Sequence, residues 1–472
     1  MNSHPPSTIA GKAHNSHASG AQSTICAVST PYGVGGIAVV RVSGPEALSI
    51  VDRLFVGKQP LSQAKPNTIH YGRIADLDEV LVSVFRAPHS FTGEDVVEIA
   101  CHGSLYIQQT IIQRLIEAGC AMAAAGEFTR RALMNGKLDL TQAEAVADLI
   151  ASQSKAEHDL ALKQLRGSVS NEIATLRDRL LHLTSLIELE LDFADHEELE
   201  FASRPELQAV ADEIEAHLVH LTNSFKTGNA IRNGLPVAIV GPTNAGKSTL
   251  LNALLGEQRA IVSDIQGTTR DTIEDTLVIE GILFRLIDTA GLRETQDEIE
   301  QMGIERTKAA IEKAAIILDL SAEGGLSAQH STSVGSPYSS TPLPLYSQPI
   351  IHIVNKSDLM SEEQKAAVDK DVVLISAKNG DLSNLRERLV AMARTMIGAT
   401  EGVCITGERH YEALLRALRS IRAVQEGLRQ NISGEFLSMD LQDVLTSLGE
   451  VTGQVTNDEV LSNIFSKFCI GK

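Results

Sequence analysis

Apolar residues recur along this chain with two different periods. In the first third the runs are short and β-like: GGIAVVRVSG, VLVSVFRAP and DVVEIACHG are rich in Val and Ile and bounded by Gly or Pro. YIQQTIIQRLIEAG follows with helical spacing and stops at Gly119. Residues 24–135 therefore read as an α+β domain. The period then lengthens. Ile173, Leu176, Leu180, Leu183 and Ile187 step by three and four, one face of a long helix. Leu207, Val210, Ile214, Leu218, Leu221 and Phe225 repeat that stripe, as do Tyr411, Leu414, Leu418, Ile421, Val424 and Leu428. Between them, over 233–398, the runs LPVAIVG, LFRLIDTAG, AAIILDL, PIIHIVNKSD and DVVLISAK alternate with helical stretches, as in a parallel sheet covered by helices. The simplest arrangement inserts this α/β domain into a helical one made of 136–232 and 399–472. Three domains in series satisfy the same pattern.

Length and composition narrow this further. A chain of 472 residues is too long for one core. No apolar run approaches the ~20 residues that span a bilayer, so no membrane partner is expected. Acids outnumber bases, 60 to 41, for a formal charge of −19. A polyanion would have to meet a local basic patch or a basic partner. Five scattered cysteines without a CxxC pair suit a reducing, cytoplasmic setting. Residues 1–23 hold one base, Lys12, and no apolar core or Arg, so a disordered extension is expected instead of a signal or transit peptide. The Ser/Pro/Gly-rich stretch 321–349 reads as a surface loop.

The strongest chemical signal is VAIVGPTNAGKST, a strand followed by G-x-x-x-x-G-K-S (Gly241 to Ser248) at the start of a helix. Its glycines let backbone N–H groups wrap phosphates, Lys247 neutralises β and γ oxygens, and Ser248 offers its hydroxyl to Mg²⁺. Asp288 in LIDTAG reaches that ion through water, and the Gly291 amide meets the γ-phosphate. Thr268 or Thr269 in GTTRD completes the Mg²⁺ shell. In NKSD, Asp358 accepts from guanine N1–H and its exocyclic amine, a pair adenine does not present. SAK (Ser376 to Lys378) presents backbone to guanine O6. Four such motifs in this order specify a GTPase. Ras-like enzymes place a water-orienting Gln just after D-x-x-G, but here that residue is Leu292. Glu294, Asp297, Glu298 and Glu300 follow as alternatives. The side-chain oxygen of Asn244 either shapes the loop or holds a monovalent cation where an arginine finger would act. Arg409, Arg416, Arg419, Arg422 and Arg429 form a basic stripe that reads better as a solvated helix face than as a nucleic-acid contact.

SFTGEDVVEIACHG, GEFTRRALMNGKLDLTQAEAVADLI, the GTPase motifs and the terminal FCIGK together resemble the MnmE/TrmE family of tRNA-modification GTPases from about residue 24 to Lys472. The resemblance implies an N-terminal folate-binding and dimerising domain, a helical domain and an inserted TrmE-type G domain. The expected fold class is thus multidomain, with an α+β, an α-helical and an α/β P-loop part. It also implies a homodimer that forms a heterotetramer with a flavoprotein, MnmG (GidA), which alone carries FAD. Together they modify C5 of the wobble uridine of certain tRNAs. The added group is aminomethyl or carboxymethylaminomethyl, its carbon supplied by a tetrahydrofolate derivative (5-formyl- or methylene-). K⁺ replaces an arginine finger when two G domains pair.

Motifs and resemblance together place GTP on Asn244, Ala245, Gly246, Lys247, Ser248 and Thr249. They add Ser263, Asp264, Ile265, Gln266, Gly267, Thr268 and Thr269, and Asp288, Thr289, Ala290 and Gly291. Asn355, Lys356, Ser357, Asp358, Ser376, Ala377 and Lys378 complete the set. By resemblance, K⁺ takes Asn244 and Thr268 side chains with Ser263 and Ile265 carbonyls, and Mg²⁺ takes Ser248 and Thr269. Glu300 positions the water and Arg293 assists. Arg41, Glu98, Lys137 and Lys472 match folate-binding positions, with Cys469 near the one-carbon unit. The CIGK end lacks the aliphatic and terminal residues of a prenylation box. Cys101 stands where the family commonly has Gly, which is expected to crowd the domain interior. An Era/Der-like switch in ribosome assembly is the alternative, and it leaves the N-terminal domain and FCIGK as decoration.

Overall fold

A computed structural model describes residues 23–192, 203–242, 244–256, 275–287, 310–320, 348–397, 402–456, 458–466 and 468–471. The chain forms two compact units, one of Met1–Leu138 with Asp458–Lys472 and the other of Asp139–Asn457.

The first unit is built on a seven-stranded sheet, β1 (Ile25–Val28), β2 (Gly35–Ser43), β3 (Phe55–Gly57), β4 (Thr68–Ile74), β5 (Asp78–Phe85), β6 (Val96–Gly103) and β7 (Ala121–Met122), in the order β3-β4-β5-β6-β2-β1-β7. Its pairs are antiparallel except β1 with β7. Strand alternation puts Val40, Val42, Val97 and Ile99 into a core with Ile111 and Leu115 of α2 (Leu105–Glu117) and Ile50 of α1 (Ala47–Asp52). Cys101 joins that core without disrupting it: its thiol donates to Ala38 O, and burial pushes its pKa up to about 11. The opposite face holds Arg41 and Glu98 beside the exposed Ile37, Ile69, Tyr71 and Leu81. A third helix, α3 (Glu127–Met134), follows β7.

The C-terminal segment belongs to this unit. Ile470 bridges to Ala125, and Ser29 Oγ donates to Gly471 O at 3.2 Å. Gly471 has φ +95°, and a Cβ there would lie 2.2 Å from Val28 O, so no other residue fits.

In the second unit the predicted stripes become helices. α4 (Leu140–Ala151) and α5 (Lys155–Leu165) lead to α6 (Ser168–Asp192) and α7 (Arg204–Asn233). After the α/β portion come α11 (Glu408–Arg429) and α12 (Gly434–Thr452), the latter not anticipated from sequence. Ile173, Leu176, Leu180, Leu183 and Ile187 of α6 are fully buried. They share one core with Ile214 and Leu218 of α7 and with Leu414, Ile421 and Leu441. Helices on both sides of the α/β portion thus complete one another. α7 crosses close to the segment before α11, where a Cβ on Gly228 would fall 2.2 Å from Ile405 O.

α7 ends at Gly234 (φ +78°), and the next residue opens the second sheet: β8 (Leu235–Val240), β9 (Asp275–Ile279), β10 (Ile282–Ile287), β11 (Ile316–Asp319), β12 (Ile350–Val354) and β13 (Val373–Leu374). The order is β13-β12-β11-β8-β10-β9. The expected parallel sheet needs one correction, since edge strand β9 runs antiparallel to β10. A tight Glu280–Gly281 turn joins them, too short for a parallel crossover. α8 (Lys247–Gly256) and α10 (Ser383–Ile397) pack on this sheet through Leu250, Leu254, Leu385 and Leu389. A short α9 (Glu362–Ala366) precedes β13.

A partly buried ion cluster ties α4 to α11 and α12. Arg409 Nε and Nη2 donate to the two oxygens of Glu144 at 3.0 and 3.2 Å, and further guanidinium contacts reach Glu450 O, Val451 O and His410 Nε2. His410 Nε2 lies 2.7 Å from Glu144 Oε2 and 2.8 Å from Arg409 Nη2. Burial pushes the Glu144 carboxyl up, but the hydrogen bond and charge of His410, with those of Arg409, outweigh it and hold the group at about 2. A depressed carboxyl pKa adds stability above its unfolded value of 4.5 and loses it as pH falls from 4.5 towards 2. The full shift is worth about 3 kcal/mol. Glu144→Gln is therefore expected to lower the urea midpoint, read by circular dichroism, at pH 6 and above. The gap to the parent should close as pH drops through that window; a pH-independent gap would remove the ionic account.

Candidate functional site

β8 delivers the chain to Gly241, and α8 begins six residues later at Lys247. Between them Ala245 N donates to Pro242 O, and Asn244 sits at φ +68°, a left-handed conformation that Asn tolerates. Lys247 Nζ donates to Gly241 O at 2.8 Å and Pro242 O at 2.9 Å, which folds its ammonium over the loop. Burial lowers its pKa. Ser248 and Thr249 are exposed on the first turn of α8, while Leu250, Leu251 and Leu254 anchor the helix in the core.

The other side of the loop is held by residues that follow β12 and β13. Asn355 Nδ2 donates to Ala245 O at 3.0 Å, while its Oδ1 accepts from Lys356 N and Ala377 N. Lys356 Nζ reaches Asn244 O at 3.3 Å. Ser376 Oγ donates to Asp358 Oδ1 at 2.6 Å, and this bond is the main reason the Asp358 carboxyl is held below its usual pKa, with Lys378 adding attraction. The structure thus brings Asn244, Ala245, Gly246, Lys247, Asn355, Lys356, Asp358, Ser376 and Ala377 into one cradle. The Asp358 carboxylate lies at its far end.

In the first unit, Arg41 and Glu98 are cross-strand partners. Arg41 Nε and Nη2 both bond Glu98 Oε1, at 2.9 and 2.8 Å. The guanidinium lies 5.4 Å from the Phe91 ring centre and 5.6 Å from that of Phe128. Next to the pair, on the same strand face, Ser43 Oγ donates to Glu94 at 2.6 Å and receives the Thr92 hydroxyl, while Glu94 and Glu127 bracket the buried Arg131. Lys137 Nζ donates to Pro88 O at 3.0 Å and is exposed. Cys469 is a free, exposed thiol whose carbonyl accepts from Gly126 N.

Two family models match the chain: the MnmE helical domain over residues 140–469, and the GTP-binding protein TrmE N-terminus over 24–137. The chain is 52% identical over 467 residues to the tRNA modification GTPase MnmE of Parabacteroides distasonis, covering 95% of this chain and 100% of the relative. To the Bacteroides fragilis protein of the same name it is 52% identical over 470 residues, with coverages of 96% and 100%. To that of Flavobacterium johnsoniae it is 50% identical over 470 residues, with coverages of 96% and 99%. The chain belongs to the MnmE family of tRNA modification GTPases. It is a GTP hydrolase acting in tRNA modification.

Several residues expected from the MnmE resemblance lie outside the described residues: Ser263, Asp264, Ile265, Gln266, Gly267, Thr268, Thr269, Asp288, Thr289, Ala290, Gly291, Arg293, Glu300 and Lys472. The same holds for 1–22 and 321–347. Four arginines of the stripe are paired with acids. Arg409 is tied to Glu144, Arg416 to Glu450, Arg422 to Glu215 and Arg429 to Glu426. Phe91, Phe128 and the Ser43–Thr92–Glu94–Arg131 cluster were missed by sequence reading, because only the fold carries them to Arg41. Among the described residues no helix is long and apolar enough to cross a membrane.

Asp358→Asn replaces an acceptor by a donor facing the base edge. It is expected to weaken GTP binding on the order of 100-fold or more, while xanthosine triphosphate, whose base presents an acceptor there, binds better than GTP. Equilibrium titration with a fluorescent analogue of each nucleotide checks this; unchanged GTP affinity would remove Asp358 from base recognition.

Proposed function

We propose that this GTPase modifies C5 of the wobble uridine of certain tRNAs together with an FAD-bearing partner, which keeps the flavin. The aminomethyl or carboxymethylaminomethyl group takes its carbon from methylene-tetrahydrofolate bound in the first unit. The observation that carries this reading is the docking of the C-terminal segment into that unit, through the Ala125–Ile470 bridge and the Ser29–Gly471 hydrogen bond. Cys469 is thereby built into the same unit as Arg41, Glu98 and Lys137. An Era/Der-like assembly switch needs neither that segment nor the TrmE-type N-terminal unit.

The residues present fit a folate. Among the described residues Arg41 engages Oε1 of Glu98, which leaves Oε2 for the donor edge of a pterin, and the Phe91 and Phe128 rings lie near the guanidinium. Lys137 and Lys472 supply cations for the glutamate tail. A bound methylene-folate would supply the one-carbon unit; the protein binds and orients it. For Cys469 the reading extends only to a place beside that unit.

On the nucleotide side, Ser248 fits a Mg²⁺ ligand by its exposed position at the start of α8, with Thr269 as its proposed companion. Asn244, exposed and next to the phosphate-binding turn, fits a K⁺ ligand, with Ser263, Ile265 and Thr268 completing the set. The ion would supply positive charge when two G domains meet, Glu300 would position water, and Arg293 would assist. Support for a homodimer comes from the sheet face of the first unit. Tyr71, Leu81 and Ala100 lie in one cross-strand row, with Ile37 and Ile69 exposed nearby, an apolar area that a second copy would cover.

Because Asn244 has φ +68°, an Ala variant adds backbone strain, whereas Gly does not. Asn244→Gly is expected to keep GTP affinity and lose about 100-fold in potassium-stimulated kcat. Equal turnover of the parent in KCl and NaCl would end the potassium reading. For the folate site, Glu98→Gln is expected to leave GTP turnover intact and fail to restore the modified nucleoside in a strain lacking the chain, measured by mass spectrometry of wobble uridines. A deletion strain with unaltered wobble uridines would exclude the modification role altogether.

A further inference from the structure

Helix α5 carries its charges on separate sides. Glu157 is buried towards α4 and α7, where it lines a cavity of about 240 Å³ with Asp148 and Arg232. Lys155, Asp159 and Lys163 recur every fourth residue, and Arg166 follows the last turn, so they form one exposed stripe ~16 Å long. This stripe is one wall of a second cleft, of about 490 Å³. The other wall is the Glu280–Gly281 turn of the β9–β10 hairpin and the end of α10 at Arg394. Ala156 N donates to Gly281 O at 3.2 Å and closes the cleft floor. Arg394 pairs with Glu280 at 2.8 Å, and those charges cancel. Among the described residues, the other charged side chains of the lining are Lys155, Lys163 and Arg166 against Asp159, three bases to one acid.

Such a concavity stands apart from a chain of net charge −19. At physiological salt, acids beyond ~8 Å are largely screened, so the local sign decides what enters. Four arginines of α11 are paired with carboxylates, those of Glu144, Glu450, Glu215 and Glu426. The length of the stripe suits a run of phosphates better than one small anion.

We infer that this cleft, between α5 and the β9–β10 turn, binds the phosphate backbone of the tRNA substrate. The inference rests on the tRNA-modification reading and adds where the nucleic acid lies. Phosphate contacts of this kind release counterions, and each contributes roughly 0.7 to 0.9 to the slope of log affinity against log salt.

The test is binding of a fluorescent wobble-uridine tRNA to the full chain, read by anisotropy from about 50 to about 300 mM KCl. A Lys155→Gln, Lys163→Gln, Arg166→Gln variant is expected to lower that slope by about 2 to 3 and weaken binding more than about tenfold at mid-range salt. Arg166→Gln alone lowers it by about 1. A control removing three exposed charges elsewhere, Lys58→Gln, Lys65→Gln and Lys370→Gln, changes binding less than about twofold, and GTP turnover without tRNA matches the parent in every variant. Parallel salt plots for parent and cleft variant, an equal loss in the control, no tRNA binding by the parent, or competition by tripolyphosphate equal to that of tRNA would each overturn the inference. Unaltered wobble uridines in a deletion strain would instead remove the underlying tRNA reading.

Discussion

The side-chain amide of Asn355 is the constraint on which the nucleotide cradle depends. Its nitrogen holds the phosphate loop at Ala245, and its oxygen collects the amides of Lys356 and Ala377. Asn355 and Ala245 stand 110 residues apart in the chain, yet one hydrogen bond keeps their segments in register. The neighbouring glycine is forced by the same contact: a Cβ on Gly246 would lie 2.2 Å from Asn355 Nδ2. The P-loop glycine thus has two reasons to exist, its left-handed φ of +94° and the room that the amide occupies. With Asn355 fixed, Ser376 comes within 2.6 Å of Asp358 and keeps that carboxylate ionised.

The helical core and the α/β portion are joined by chain continuity. α7 runs for 30 residues and passes through Gly234 straight into β8, the strand that ends in the phosphate loop. A rotation of the loop-bearing sheet therefore has a short, stiff lever into the core formed by α6, α7, α11 and α12. The Glu144–Arg409–His410 cluster holds that core's flank by partly buried charge, an arrangement in which loss of one partner leaves the others less compensated.

In the first unit the sheet divides labour between its faces. One face is an ordinary packed core of Val, Ile and Leu. The other sets a charged pair, Arg41 and Glu98, in the row next to exposed Leu81 and Tyr71.

Local pattern alone determined the three long helices, the main strands and the order of nucleotide motifs, because a 3.6- or 2-residue period and a glycine-rich turn are properties of neighbours in the chain. The same is true of Lys247, Asn355 and Asp358, whose chemistry is tied to short motifs. Edge strand β9, helix α12 and the antiparallel turn at Gly281 were not legible, since an edge strand has a weak period and its direction is set by its partner. Only tertiary structure decided that four of the five arginines near the C-terminus are tied to acids, that Phe91 and Phe128 flank Arg41, and that the last residues pair with β-structure begun near residue 25. Each of these depends on side chains distant in sequence meeting at a few ångströms, and no spacing along the chain encodes that distance.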